Sequence, residues 1–172
     1  MKKTKTALLI VTGALTLLIC GVMNFYLIPL IEQSTNGIRM FDMQSFGYTA
    51  AAAREFLRLL SEEGRDTFLH KQLPLDFFYP VAYGAFFMLS LAALAPRRKA
   101  LCFLPAALML CDYGENILSL IMLRNDFSDT IAHAGCAFTV TKTVLMTAVI
   151  VLILVLLLKK IRAKEKKCIS SI

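Results

Sequence analysis

Four long apolar runs constrain this chain more than any other feature of its sequence. Each run holds about 20 or more mainly apolar residues, enough for a helix to cross a hydrocarbon core about 30 Å thick. The runs cover roughly residues 7–30, 75–95, 100–123 and 131–158. None of them alternates with the period of two that a barrel strand requires. We therefore predict an all-α integral membrane four-helix bundle, with residues 1–172 forming a single membrane domain.

The composition excludes the main soluble classes. Of the 172 residues, 58% are apolar and 18% are charged, whereas soluble domains average about 45–50% apolar. Too little polar material remains to coat a globule, and the apolar content is too high for a disordered chain. We expect neither a disordered tail protein, nor a disulfide scaffold, nor an ordinary soluble enzyme.

Lysine and arginine are distributed unevenly between the two sides that four spans define. One side carries twelve basic residues and one acid, Glu165, and it includes the basic tail at 159–172. The other side carries six basic residues and eight acids. Because cytoplasmic loops carry the excess of Lys and Arg, both termini are expected in the cytoplasm and the chain in a cell (inner or plasma) membrane. The net charge of +7 is then explained by the topology, because the basic excess lies on the cytoplasmic side. No nucleic acid is expected as a partner.

The first apolar run also has features of a secretory signal, because Lys2, Lys3 and Lys5 precede it. The run is about 24 residues long, well past the 7–15 of a typical signal core. No small-x-small cleavage site closes it. We expect an uncleaved first helix.

About 44 residues separate the first two runs, too many for a simple turn. This segment, residues 31–74, is expected to be extracytoplasmic and helical, either as an interfacial lid over the bundle or as a plain connector. Thr49 is a candidate N-cap for an amphipathic helix. The apolar stripe of that helix comprises Ala53, Phe56, Leu57 and Leu60.

The end of this segment carries two residues that favour helix termination. Gly64 fits the C-terminus of the amphipathic helix. A second short helix is then predicted over 66–72, with Pro74 stopping it before the second apolar run begins.

Ionisable side chains lie inside the apolar runs. Asp112, Glu115 and Asn116 share one helix face at i, i+3 and i+4. Lys142 is expected at a similar depth, because the third and fourth runs are antiparallel. A charge at the bilayer centre costs roughly 2.5–3.5 kcal/mol, so these groups should face each other. We predict an ion pair between Lys142 and either Asp112 or Glu115.

A larger polar cluster is predicted around this pair. Its members come from three runs: Asp76, Tyr79, Tyr83, Asp112, Glu115, Asn116 and Lys142. Contributors at its outer face are expected to be Asn24, His70 and His133. The cluster should form a pocket that opens toward the outer side.

The cluster holds three carboxyl groups and a single lysine. When all four groups are ionised, the cluster has an excess of negative charge. This excess requires a protonated carboxyl, a bound cation or basic ligand, or access for water. A purely structural role is also compatible with these residues. In that case Asp76 caps its helix, and Lys142 with one carboxylate fixes the register of the packed helices.

Motifs for known chemistries are absent from the sequence. It contains no C-x-x-C pair, Walker loop, G-x-S-x-G or H-E-x-x-H. A metal site formed by His70, Asp76, Glu115 and His133 is not expected, since two histidines so far apart are usually unrelated. The sequence predicts no cofactor and assigns no catalytic residue, which leaves open whether the chain is an enzyme.

Short motifs resemble those of an uncharacterised family of bacterial four-transmembrane-helix proteins. They are Gly64-Arg65, Leu73-Pro-Leu-Asp76, Tyr79-Pro80-x-x-Tyr83 and Asp112-x-x-Glu115-Asn116. The resemblance covers most of the chain and implies a four-span fold and a membrane location. It implies no activity.

Three functions are compatible with these features. The first is a structural or interaction role for the buried polar cluster. The second is a small-solute or proton-handling, transporter-like protein in which Asp112, Glu115 and Lys142 titrate. The third is an intramembrane enzyme acting on a lipid, with Asp76 or Glu115 as general base. The expected partners are the lipid bilayer, a second copy or another membrane protein, and a lipid or small solute.

Overall fold

The structure is a computed structural model that describes residues 3–124 and 127–169, with side chains up to residue 163. Lys2 and the end of the predicted tail at 170–172 lie outside the described residues. Five helices are described: α1 (Lys3–Gln33), α2 (Ala50–Leu59), α3 (Glu62–Leu94), α4 (Phe103–Leu123) and α5 (Asp129–Ile169). No strand occurs in this part of the chain. Four of the helices, all but α2, are long and apolar enough to cross a membrane, which confirms the predicted all-α bundle.

Helix α3 is the centre of the bundle. It packs against α1, α4 and α5, and α4 and α5 form the most extensive helix pair. Among the described residues, α1 and α5 make no extensive contact with each other. The connector, which we define as residues 34–49, lies between α1 and α2 in sequence and contacts α5 through its short 3₁₀ turn Phe41–Met43. We call the end of the bundle that carries the connector and α2 the capped end.

The predicted break at Pro74 is absent. Helix α3 begins at Glu62, where the Ser61 hydroxyl accepts a hydrogen bond from Gly64 N at 3.1 Å, and it continues past Pro74. A wide π turn, Phe68–Gln72, ends two residues before the proline. Proline has no N–H to donate, and the π turn changes the bonding pattern just where a regular helix would lose a hydrogen bond. The first turns of this span are therefore assigned to helix α3 rather than to a separate segment.

Helix α1 repeats this arrangement. Its π turn, Met23–Leu27, precedes Pro29, and the helix continues to Gln33. The two π turns contact each other across the bundle.

Gly64 lies inside the first turn of α3 and does not end a helix, contrary to the prediction. A Cβ at this position would overlap the side chain of Ser34, the residue that directly follows α1. The missing side chain therefore lets α3 and α1 approach closely. The neighbouring Arg65 donates to the carbonyl oxygen of Leu123, one of the last carbonyls of α4, which have no partner inside that helix.

The amphipathic helix α2 forms as predicted. Thr49 caps it, accepting from Ala52 N at 3.1 Å. Its apolar stripe is buried: Ala53, Phe56, Leu57 and Leu60. The stripe packs into an aromatic core in which Phe56 lies 5.6 Å from Phe41 and 6.4 Å from Phe68 between ring centroids.

The connector descends into the bundle. Met40 and Phe41 are fully buried, and Tyr48 N donates to Cys136 Sγ at 3.3 Å. Cys136 lies seven residues into α5, about 10 Å below the start of that helix at 1.5 Å per residue. Irregular backbone at such depth is tolerated where protein buries it or where it lines a cavity. Asp42 is thereby carried to the interior.

Candidate functional site

Lys142 of α5 lies between two carboxylates of α4. Its Nζ is 3.1 Å from Asp112 Oδ1 and also contacts Glu115 Oε2. The second oxygen of each carboxylate has its own donor: Tyr83 Oη bonds Asp112 Oδ2 at 2.8 Å, and the Thr139 hydroxyl bonds Glu115 Oε1. Both carboxylates are 2% exposed. Ion pairs with Asp112 and with Glu115 are thus both present, and each of the four carboxylate oxygens accepts a hydrogen bond, as burial in a low dielectric demands.

A proline determines the position of Asn116. Pro80 lies four residues after Asp76 in α3 and cannot donate the helical hydrogen bond that the Asp76 carbonyl would accept. Asn116 Nδ2, from α4, donates to that carbonyl instead, at 2.9 Å. The bond ties α4 to α3 one turn from the ion pair.

A cavity of about 280 Å³ adjoins the ion pair. The helices α1, α3, α4 and α5 and the connector all contribute to its wall. Its acidic and basic lining residues are Asp42, Asp76, Asp112 and Lys142, and its apolar lining residues are Met23, Ile28, Met43 and Met146. We call this space the acidic cavity.

Two carboxyl groups of the acidic cavity have unused acceptor capacity. Asp42 is 8% exposed, and its Oδ1 is buried without a hydrogen-bond partner. Asp76 is also 8% exposed, and no donor among the described residues bonds its carboxylate. Counting Glu115, four carboxyl groups surround one ammonium, so the group carries three excess negative charges when all are ionised.

The surroundings of Asp42 oppose its ionisation, mainly because the side chain is buried. Burial raises its pKa from 3.8 to about 7, and repulsion from Glu115 adds to the shift while Lys142 opposes it. A buried carboxyl without a donor is costly to ionise. The acidic cavity therefore favours either a proton on Asp42 or a positive charge beside it.

Most of the residues predicted for the polar cluster lie at this site. Five line the acidic cavity: Asn24, Asp76, Tyr79, Asp112 and Lys142. Three are buried directly behind the lining: Tyr83, Glu115 and Asn116.

The two histidines lie elsewhere. His70 is on the exposed surface, where its Nδ1 is 2.9 Å from Asp66 Oδ1. His133 is exposed near the start of α5, and neither histidine lines the acidic cavity. Within the described ranges, no three His, Cys, Asp or Glu side chains are grouped so as to hold a metal ion.

Three cavity residues from the connector were missed by the sequence analysis: Asp42, Met43 and Ser45. The only available signal was an acid set among Met40, Phe41 and Met43, an apolar surrounding that is unusual for a solvated loop. Their position depends on contacts with α5 that lie far away in sequence.

The fold and the site define a multi-pass α-helical membrane protein with an acidic cavity inside its bundle. Comparison with protein-family models, with curated proteins and with solved structures gives no significant match. Function is therefore inferred from the geometry of the site.

Proposed function

We propose that this membrane protein binds a small organic cation in the acidic cavity. The observation that carries the proposal is the buried Asp42 Oδ1, which has no hydrogen-bond partner, with the Asp76 carboxylate lining the same space. A protonated amine would supply both the charge and the donors these two groups lack. Of the three functions that the sequence leaves open, this proposal corresponds to the second, the handling of a small solute.

The lining favours an organic cation over a bare metal ion. Hard divalent cations bind about six or more oxygen ligands, which the protein and water supply. Much of this cavity is instead thioether and aliphatic, from Met23, Ile28, Met43 and Met146. Such a surface accommodates the carbon skeleton of an amine.

The proposal is tested by thermal melting of the purified protein in detergent at pH 8. n-Butylamine should raise the apparent Tm, and n-butanol or NaCl at equal concentration should not. A ligand at ten times its Kd adds about 1.4 kcal/mol, and for a chain of this size that corresponds to about 3–6 °C.

Matched variants separate binding from general electrostatics. The pair Asp42→Asn and Asp76→Asn, combined in one protein, should abolish the shift caused by n-butylamine. The pair Glu62→Gln and Glu63→Gln removes the same two charges from the exposed start of α3 and should leave the shift intact. A wild-type protein that shows no amine-specific shift contradicts the proposal.

A purely structural role of the buried polar cluster is the alternative to cation binding. Substitutions at the ion pair distinguish the two functions. Lys142→Met should lower the Tm, because it leaves Asp112 and Glu115 buried without their cation, a loss of about 3–5 kcal/mol. Adding Asp112→Asn and Glu115→Gln should recover much of that loss. If the triple variant recovers stability and still binds n-butylamine, the ion pair is structural and Asp42 with Asp76 forms the binding site.

We also propose that both termini are cytoplasmic and that the protein resides in a cell membrane. The proposal rests on the twelve basic residues on the side of the termini. Cysteine-labelling of the living cell tests it: a Cys introduced at Ala51, which is exposed on α2, should react with an impermeant maleimide in a background without native cysteines, and one at Ser170 should not. The reverse pattern contradicts this topology.

A further inference from the structure

The acidic cavity is closed toward the capped end. Phe41 and Asp42 are neighbours on one 3₁₀ turn, and while Asp42 lines the cavity, Phe41 is fully buried in the aromatic core. Phe56 of α2 and Phe68 of α3 complete that core, and both are also fully buried. A solute would have to displace packed aromatic rings in order to enter from this direction, which is the outer side toward which the sequence predicted that the pocket opens.

The open side of the cavity lies between α1 and α5. Three lining residues are exposed, and they mark its mouth: Asn24 of α1, Ser45 of the connector and Thr147 of α5. These two helices make no extensive contact in the described part of the bundle, and the cavity lies between their lining residues. The rim is polar and uncharged.

This mouth lies at membrane depth. Asn24 falls inside the apolar run 7–30 and Thr147 inside the run 131–158. Thr147 lies eighteen residues into α5, about 27 Å from the start of that helix. Phe46, next to the rim residue Ser45, is completely exposed, which is favourable for a phenyl ring in contact with lipid. The mouth therefore faces the bilayer.

The size of the cavity restricts what can enter through this mouth. Pockets for drug-sized ligands occupy about 300–1,000 Å³, and this cavity has about 280 Å³. It can hold an amine headgroup, whereas acyl chains would have to remain outside in the membrane.

We infer that the cation bound by this protein is the primary ammonium of a lipid headgroup, which enters sideways from the bilayer between α1 and α5 and bonds Asp42 and Asp76. The inference rests on the cation binding proposed above and specifies its source. A primary ammonium has three N–H donors for the two carboxylates, whereas a trimethylammonium has none.

The test is a competition between two lipids that differ only in the methylation of the headgroup amine. The protein is reconstituted into vesicles of phosphatidylethanolamine and phosphatidylcholine with identical acyl chains, mixed in equal amounts. It is then extracted, and the retained lipid is measured by native mass spectrometry. We expect about tenfold enrichment of phosphatidylethanolamine, equivalent to about 1.4 kcal/mol.

Two substitutions on α5 provide a matched comparison. Thr147 and Thr141 are both exposed and both donate to a carbonyl one turn earlier, at 2.9 Å and 2.7 Å. Only Thr147 belongs to the mouth. Thr147→Trp should reduce the enrichment to about one, and Thr141→Trp should leave it unchanged. The combined Asp42→Asn and Asp76→Asn protein should also lose it.

Each other outcome overturns a defined part of the inference. Equal retention of the two lipids by wild type, with the n-butylamine shift still present, shows that a free amine is the ligand and leaves the proposed function standing. Absence of both effects overturns both proposals. Enrichment that survives Thr147→Trp excludes the lateral route, and enrichment that survives the double Asp variant excludes the acidic cavity as its origin.

Discussion

Asp42 and Asp76 differ from the other carboxylates of the site in having no donor assigned to them. Asp112 and Glu115 are bonded by Lys142, Tyr83 and Thr139. Removing charge from Asp112 or Glu115 therefore breaks existing bonds, while removing it from Asp42 removes a cost. Substitutions at the two kinds of carboxylate should change stability in opposite directions at neutral pH.

The first prediction concerns the pH dependence of stability. Between 3.8, the usual pKa, and about 7, its pKa in the fold, Asp42 keeps its proton in the folded protein and loses it on unfolding. The folded state binds more protons, so this group lowers stability as pH rises through that range. Asp42→Asn should thus be more stable than wild type at pH 8, by more than at pH 5, in thermal melts. The exposed variant Glu62→Gln serves as control, and a difference that does not change with pH contradicts the assignment.

A second prediction concerns the bond between Asn116 and the Asp76 carbonyl. Asn116→Ala leaves a buried carbonyl without a donor and should cost about 1–3 kcal/mol. Pro80→Ala restores a backbone N–H four residues after Asp76, so in that background Asn116→Ala should cost less. Unfolding free energies of the four proteins in mixed micelles give the coupling. Equal costs in the two backgrounds would show that Asn116 does not replace the bond missing at Pro80.

Single residues of the site were predictable where spacing and depth determine them. Asp112, Glu115 and Lys142 lie in apolar runs of known length, so the cost of burying charge was enough to place them together. Asp42 was not predictable in this way, because its depth depends on the burial of Met40 and Phe41 in the tertiary structure. The two histidines were predicted near the cluster from their depth along the chain, but both are exposed and neither lines the acidic cavity.

At the scale of elements, the close contact between α1 and α3 depends on a glycine. Gly64→Ala should destabilise the protein by about 1–3 kcal/mol, because its Cβ would overlap Ser34. Ser34→Gly should rescue it. Gly21→Ala in α1 is the control: nothing lies within 4 Å of the added Cβ, and removing a helical glycine should stabilise by about 0.5–1 kcal/mol. Thermal melts of Gly64→Ala, of its combination with Ser34→Gly, and of Gly21→Ala check this, and a neutral Gly64→Ala contradicts the close packing.

Hydropathy predicted the four spans, but residues that usually terminate helices led to wrong positions for the helix ends. Pro74 and Gly64 are usually helix terminators, yet both lie inside α3. A π turn before the proline and a tight helix contact at the glycine account for them, and both depend on neighbouring helices. The two residues belong to the motifs that resemble the four-span bacterial family, and that resemblance stays a prediction.

At the scale of the whole molecule, an incompletely closed bundle produces the cavity. Helix α3 holds α1 on one side and the α4–α5 pair on the other, and the connector fills only part of the gap between α1 and α5. A chain of four apolar runs predicts a bundle but not which helices remain apart. The acidic cavity lies at that gap, so its charged lining residues are close to the opening between α1 and α5.

The central claim is that Asp42 and Asp76 bind an organic ammonium group in this gap. Calorimetric titration of n-butylamine into the full chain at pH 8 tests it most directly. We predict saturable binding of one amine per chain, lost when Asp42→Asn and Asp76→Asn are combined and retained when Glu62→Gln and Glu63→Gln are combined. Saturable binding of equal strength to the double Asp variant, or none to wild type, would contradict the account.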